Sequence, residues 1–306
     1  MNPPDPERTP EVSDAGNTAA PGPILIPLSE APQSQLPRLG MPPEVSPPSQ
    51  PRTSMDLDSP LTWADLIYLL AFYLVAGYVL TLGVATAAGA YSHVSTREVL
   101  QGLDGPEASL AVVIQALLSF ATLGFLYVLV RMRTAAPFWP AVGWRKFRDM
   151  SSWSTIATRY AFLGCGLALA VGFASNLVDN GKTLPIEEFF HNRQTVVLLI
   201  FLGVVVAPFV EETLFRGCLY PVIAGKFGVP AGVIVTGILF GLAHAPQLRG
   251  GEGQIALLMG VGIILTYIRA RAGTVLASYF VHVAYNSSLF AALIFSTGGL
   301  RHLPPT

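Results

Sequence analysis

The chain has 306 residues, of which 52% are hydrophobic and only 12% are charged, about half the charged fraction of an ordinary soluble protein. Its formal net charge is −1, which argues against a nucleic-acid-binding protein, since such a protein needs a basic face. A soluble fold requires more polar surface than this composition supplies. We therefore expect an all-α protein that crosses the membrane several times, because helices satisfy their own backbone groups in lipid.

The N-terminal segment over residues 1–60 differs in composition from the rest of the chain. It holds 15 of the 25 prolines, including the pairs Pro3–Pro4, Pro42–Pro43 and Pro47–Pro48. Such a segment buries too little apolar surface to offset the entropy lost on ordering it. We predict a disordered Pro-rich extension over residues 1–60, to which the sequence assigns no function.

Seven long apolar segments follow, and a helical span needs about 20 residues. The predicted helices lie at 66–90, 108–130, 156–178, 195–222, 230–247, 254–269 and 273–295. The sixth segment is short and rich in glycine, and the seventh contains polar residues. About seven transmembrane helices are therefore expected, with six to eight compatible with the sequence.

The orientation follows from the basic residues between the helices. The loop after the second helix and the start of the third carry the largest basic cluster of the chain, formed by Arg131, Arg133, Arg145, Lys146, Arg148 and Arg159. The positive-inside rule places such a cluster in the cytoplasm. We therefore predict an integral protein of the plasma (inner) membrane with a cytoplasmic N-terminus.

Ionisable side chains within spans cost several kcal/mol and usually face a bundle interior or a water-filled cavity. This chain concentrates polar groups in three late helices. The fourth helix carries Glu211, Glu212 and Arg216, the fifth ends near His244, and the seventh holds His282 and Asn286. Such a distribution predicts a polar site inside the bundle.

Helical spacing separates the two glutamates. Glu212 and Arg216 are four residues apart and form a natural ion pair on one face. Glu211 lies about 100° further around the helix, so its carboxylate is free to serve a cavity. The same four-residue spacing places Phe240 with His244, and His282 with Asn286, on common helix faces. If these faces point inward, one acid, two imidazoles and one amide meet in one pocket.

Such a set of side chains suits the hydrolysis of an amide bond. A carboxylate in a low-dielectric site can act as general base toward water, and a histidine can share the proton or protonate the leaving amine. The remaining histidine and amide can hold the water or stabilise the oxyanion of a tetrahedral intermediate. A zinc ion held by glutamate and histidine ligands is the alternative.

The motifs resemble a known family. Glu211-Glu212-x-x-x-Arg216, Phe240-x-x-x-His244 and His282-x-x-x-Asn286 are similar, in this order, to the three signature motifs of the CPBP (CAAX protease and bacteriocin-processing, Abi) family of intramembrane endopeptidases. The resemblance divides the chain into the extension over 1–60, N-terminal transmembrane helices over 61–190 and a CAAX-protease-like catalytic core over 191–297. Residues 1–190 lie outside the region of the motifs.

The resemblance implies a role for each motif residue. Glu211 would be the base for the hydrolytic water, supported by His244. His282 and Asn286 would orient the water or stabilise the oxyanion. Glu212 and Arg216 would hold the helix geometry, and Phe240 would form a wall of the pocket. Members of the family are often described as metalloproteases, and the candidate zinc ligands would then be Glu211, His244 and His282. We favour the mechanism that requires no cofactor, because an amide oxygen such as that of Asn286 is a poor zinc ligand.

The sequence leaves substrate and function partly open. The family is compatible with a prenylated CaaX protein, a leader peptide or a membrane-bound regulator as the substrate, next to membrane lipids as the surroundings. Two non-enzymatic alternatives use the same buried polar residues. One is a proton-coupled transporter, and the other is a non-catalytic scaffold or immunity protein.

Overall fold

In the computed structural model the described residues are 57, 59–103, 108–147, 152–178, 181–182, 185–190 and 193–301. The predicted extension over 1–60 thus lies almost entirely outside the described residues. The described part of the chain is helical and contains no strand. Its elements are α1 (Trp63–Ser92), α2 (Thr96–Gly102), α3 (Ala108–Arg133), α4 (Phe138–Ala141), α5 (Trp153–Val178), a 3₁₀ helix (Pro185–Phe190), α6 (Arg193–Phe227), α7 (Val229–Ala243), α8 (Glu252–Ala272) and α9 (Val275–Ser296).

The prediction of an all-α polytopic membrane protein is confirmed. Among the described residues six helices are long and apolar enough to cross a membrane, namely α1, α3, α5, α6, α8 and α9. The seventh, α7, has only 15 residues. All seven predicted segments are therefore helical, but the short one is the fifth and not the sixth. Helix α7 stops at Ala243 and not at 247, since a helical conformation is disfavoured at the residue before Pro246.

Helix α6 is not a uniform α-helix. Two of its stretches, Leu202–Val206 and Glu212–Leu219, have the wider π-helical turn. Each ends two residues before a proline, Pro208 or Pro221. Proline has no N–H to donate and its ring clashes with the carbonyl four residues earlier, so the preceding turn must open. Glu211 lies between the two π stretches, at the middle of a 35-residue helix.

The turn between α6 and α7 sets the depth of the polar residues. It is formed by Gly228 at a φ of 85°, a left-handed conformation that favours glycine. Glu211 precedes Gly228 and His244 follows it at nearly equal separations along the chain. Since both helices return from the same turn, the two side chains reach nearly the same level.

Glycines allow α7 and α8 to approach closely. A Cβ on Gly262 of α8 would lie 2.6 Å from the carbonyl oxygen of Gly237 and 3.0 Å from Cβ of Phe240. The pair Gly237 and Gly241 on α7 has the small-xxx-small spacing typical of close helix packing in membranes. The close contact keeps Phe240 and the end of α7 beside α8.

We expect Gly262→Ala to lower the free energy of unfolding by about 1–3 kcal/mol, since an extra methyl group in a tightly packed contact forces the backbones apart. Thermal unfolding in lipid nanodiscs measures the change. Gly260→Ala is the matched control, because a Cβ at Gly260 has no atom within 4 Å. Equal stability of the two variants would contradict the close α7–α8 contact.

The segment after α4, residues 142–145, connects α4 to the start of α9 and to α6. The backbone N–H of Val275 donates to the Gly143 carbonyl at 2.9 Å, and the Thr274 hydroxyl donates to the Arg145 carbonyl at 2.6 Å. Opposite Gly217 of α6 lies the Val142 carbonyl, which leaves no room for a side chain there. Residues far from the motifs in sequence therefore support the helices that carry them.

Candidate active site

Glu211 faces two imidazoles from different helices. Its Oε1 lies 3.8 Å from Nε2 of His244, at the end of α7. Its Oε2 lies 3.7 Å from Nε2 of His282, on α9. Both separations are too long for a direct hydrogen bond and are of the size that a bridging water spans. The side chains of Glu211 and His244 are 24% and 22% exposed, so this group is not sealed inside the helix bundle.

The neighbouring Glu212 is enclosed. Its side chain is completely buried, and its Oε1 accepts a hydrogen bond from Nη1 of Arg216 at 2.9 Å. The predicted ion pair is therefore present. The same Oε1 lies 2.9 Å from Nδ1 of His282, a contact that the sequence did not predict. Glu212 thus contacts one nitrogen of the His282 imidazole, and Glu211 faces the other without a direct hydrogen bond.

Hydrogen bonding decides which nitrogen of each histidine carries the proton. Nδ1 of His282 faces a carboxylate that is ionised beside Arg216, so Nδ1 must donate. Nδ1 of His244 lies 2.8 Å from the Phe240 carbonyl oxygen, which can only accept. In the neutral imidazoles both Nε2 atoms are then acceptors. Nε2 of each imidazole consequently faces the Glu211 carboxylate.

Phe240 occupies the centre of this arrangement. It is almost completely buried, and its ring lies 4.5 Å from the Arg216 guanidinium carbon. Its ring centroid lies 4.8 Å from that of His244 and 5.7 Å from that of His282. The side chain excludes water from the Arg216–Glu212 pair, and its carbonyl orients His244. Phe240 thus makes more contacts than the expected role, a wall of the pocket, requires.

Arg216 connects α6 to α8. Its Nη2 donates to the Gly262 carbonyl at 3.0 Å, and its Nε donates to the Thr266 hydroxyl at 3.2 Å. The sequence analysis missed both partners. The spacing of Gly262 and Thr266 on an apolar helix was the available signal, but a glycine and a threonine four residues apart are common in membrane helices.

Asn286 lies one turn beyond His282 on α9. Its amide nitrogen donates to the Gly203 carbonyl at 2.6 Å. Gly203 belongs to the first π-helical stretch of α6, whose widened turn leaves carbonyls without the usual helical partner. The amide therefore joins α9 to the part of α6 that precedes Glu211 in the chain. The described hydrogen bonds include none between Asn286 and Glu211, His244 or His282.

An aromatic cluster that the sequence analysis did not assign to the site lies one turn from it. Trp144 packs against Phe209 and Tyr279, with ring centroids 5.0 and 5.3 Å away. Its indole nitrogen donates to the hydroxyl of Thr213 at 3.0 Å. Thr213 directly follows Glu212, so the segment after α4 reaches the glutamate pair. Only tertiary contacts reveal this, since Trp144 and Thr213 lie far apart in the sequence.

The site also bears on the zinc alternative. Among the described residues no group of three or more histidine, cysteine, aspartate or glutamate side chains is arranged to hold a metal ion. We therefore derive no step through zinc.

Comparison with protein families confirms the resemblance for this part of the chain. Residues 193–288 match the family described as Rce1-like, type II CAAX prenyl endopeptidase Rce1-like. The matched range contains all residues of the three motifs, from Glu211 to Asn286, and agrees with the CPBP family that the motifs predicted. No curated protein and no solved structure matches the chain.

Proposed function

We propose that this chain, which carries an Rce1-like protease domain over residues 193–288, is an intramembrane endopeptidase that hydrolyses a peptide bond of a membrane-associated protein or peptide. The observation that carries the proposal is the approach of Glu211 to Nε2 of both His244 and His282, at 3.8 and 3.7 Å. A water between Glu211 and one of the imidazoles can donate a hydrogen bond to each, which suits its binding and deprotonation.

The proposed reaction begins with a water held between Glu211 and the two imidazoles. Glu211 takes one proton as the water oxygen bonds to the scissile carbonyl carbon. The tetrahedral intermediate then expels the amine, which receives this proton from Glu211 directly or through His244. The C–N bond breaks, the second proton of the water passes from the new carboxylic acid to the released amine or to solvent, and the water oxygen remains in the resulting carboxylate. Glu211 returns to its ionised form.

Three buried side chains support this chemistry, namely Glu212, Arg216 and Phe240. The buried pair of Glu212 and Arg216 joins α6 to α8, and Phe240 shields it. Asn286 supports the same geometry through Gly203. Through this hydrogen bond Asn286 positions α9 against α6. A contribution of Asn286 to oxyanion binding stays a prediction.

The substrate proposed first is a protein or peptide with a prenylated cysteine and three following residues, which is the class that the description of the matched family names. A leader peptide and a membrane-bound regulator are the other two classes from the sequence analysis. We further propose that the protein lies in the plasma (inner) membrane with a cytoplasmic N-terminus, because the basic residues cluster around α3 to α5.

The test uses the purified full chain in lipid vesicles with a synthetic peptide that ends in a prenylated cysteine and three residues. We expect release of the tripeptide, and a loss of at least about 100-fold with His244→Ala, which removes an acceptor for the water. Activity that persists after exhaustive chelation would agree with the metal-free mechanism. Wild-type activity of His244→Ala would refute the assignment, whereas loss of activity on chelation would require a metal.

A proton-coupled transporter and a non-catalytic scaffold would use the same groups differently. A transporter needs proton flux across vesicles that persists when cleavage is abolished. A scaffold would keep its cellular function in Glu211→Gln. The match of residues 193–288 to an Rce1-like prenyl endopeptidase family favours hydrolysis over both alternatives.

A further inference from the structure

A small cavity lies beside the first turns of α5. Its volume is about 130 Å³, and it is lined by Phe147, Ile156, Arg159, Tyr160 and Leu163. None of these residues belongs to the candidate active site. Phe147 precedes α5 in the chain, and the other four lie on α5 itself, which is one of the six helices long enough to span a membrane. The cavity is therefore placed where this helix enters the membrane.

The lining combines polar and apolar groups in a defined order along the helix. Arg159 contributes a guanidinium and Tyr160 a hydroxyl. Leu163 lies one turn further along α5, and its side chain is more than half exposed. On a membrane-spanning helix an exposed leucine borders the acyl chains, so the cavity opens toward lipid at this level. A fitting occupant therefore has an anionic group for Arg159 and an apolar part for Leu163.

Arg159 has no acidic partner in the part of the chain that the structure describes. Neither α5 nor the described residues 134–147 contain an aspartate or glutamate, and no hydrogen bond or ion pair of the Arg159 side chain is found among the described residues. Arg159 lies about 9 Å along the helix from Trp153, at 1.5 Å per residue. Since a charged side chain at the edge of the hydrocarbon region requires a partner, the guanidinium is suited to a phosphate, which it binds with two parallel hydrogen bonds.

Aromatic rings form a fixed wall of the cavity. The ring of Phe147 stacks on that of Tyr160, with centroids 5.7 Å apart and planes 18° apart. It also contacts Trp153 edge to face, again with centroids 5.7 Å apart. Tryptophan and tyrosine are typical of the level at which lipid headgroups lie. The rings therefore hold the wall of the cavity at the depth of the headgroups.

We propose that this cavity binds one anionic phospholipid of the surrounding membrane. The lipid phosphate accepts hydrogen bonds from the Arg159 guanidinium and the Tyr160 hydroxyl, and the first part of an acyl chain lies along Leu163. A lipid with net negative charge is preferred to a zwitterionic one, because Arg159 and the nearby Lys146 are not balanced by an acidic residue in the described parts of these segments. The site goes beyond the proposed function and does not depend on it.

The test measures lipid binding and needs no cleavage assay. Native mass spectrometry of the full chain in detergent, titrated with phosphatidylglycerol or with phosphatidylcholine, gives the Kd of each lipid. We expect phosphatidylglycerol to bind more tightly, and Arg159→Gln to raise its Kd about fivefold or more, the effect of one basic residue at a membrane surface. Arg97→Gln is the matched control, since Arg97 is an exposed arginine of α2 that lies outside the six spans and the cavity. Equal Kd values for the two arginine variants, or for the two lipids in the wild type, would overturn the proposal.

A second pair of variants tests the cavity and leaves every charge in place. Leu163→Trp fills the space for the acyl chain, whereas Leu169→Trp adds the same ring to an exposed position of α5 outside the cavity. Since both leucines are exposed, we expect both variants to keep the unfolding temperature of the wild type. Only Leu163→Trp is expected to raise the Kd of phosphatidylglycerol, again about fivefold or more. A Leu163→Trp protein that binds the lipid as tightly as the Leu169→Trp control would contradict binding in this cavity.

Discussion

Glu211→Gln is expected to reduce cleavage by about 10²–10⁴-fold, the range that a general base contributes. The amide cannot take a proton from water, although it has nearly the same size and polarity. Because the Glu211 side chain is 24% exposed and makes no ion pair with Arg216, the substitution removes no buried partner. We therefore expect the thermal unfolding temperature to stay close to that of the wild type.

The cleavage rate and the unfolding temperature of the same preparation are the two measurements needed. Glu98→Gln is the matched control, since Glu98 lies on α2, outside the six spans, where it caps the helix with Ser95. Glutamine also serves in such a capping box. A Glu211→Gln protein with the turnover of the Glu98→Gln control would contradict the assignment of the base.

Arg216→Met is expected to lower the free energy of unfolding by about 3–5 kcal/mol, the usual effect of leaving one charge of a buried pair without its partner. Both side chains are completely buried, so water cannot solvate the remaining Glu212 carboxylate. The loss of the two hydrogen bonds to α8 adds to the effect. Thermal unfolding in nanodiscs with matched lipid measures the change.

The double variant Arg216→Met with Glu212→Leu is the control for this experiment. Since an apolar pair of similar volume often replaces a buried ion pair without loss, we expect it to recover most of the stability. Arg216→Met as stable as the wild type would show that Glu212 is solvated or otherwise compensated. The same result would contradict the closed arrangement of α6 and α8.

The sequence was sufficient for the fold class and for the order of the helices. Apolar length alone predicts the spans, and all seven predicted segments are helical. It also predicted the pairing of Glu212 with Arg216, because four-residue spacing is a local property of a helix. The convergence of Glu211, His244 and His282 followed from the assumption that polar faces point inward in lipid.

The sequence did not predict the details that align these groups. The π-helical stretches before Pro208 and Pro221 give α6 wider turns, whereas the helical-wheel argument assumes a regular turn. The bond of Glu212 to His282 and that of Asn286 to Gly203 depend on how α9 packs against α6. The contacts of Trp144 and Thr266 with α6 are tertiary and leave no periodic signal in the sequence.

A single-turnover cleavage in H₂¹⁸O tests most directly whether Glu211 acts through water. The enzyme, in excess over the prenylated peptide, is quenched after one turnover, and the product and the peptide containing Glu211 are analysed by mass spectrometry. We predict one ¹⁸O atom in the new carboxylate of the product and none in Glu211. Label in the Glu211 carboxylate would mean that this side chain had attacked the substrate itself, and would contradict the account.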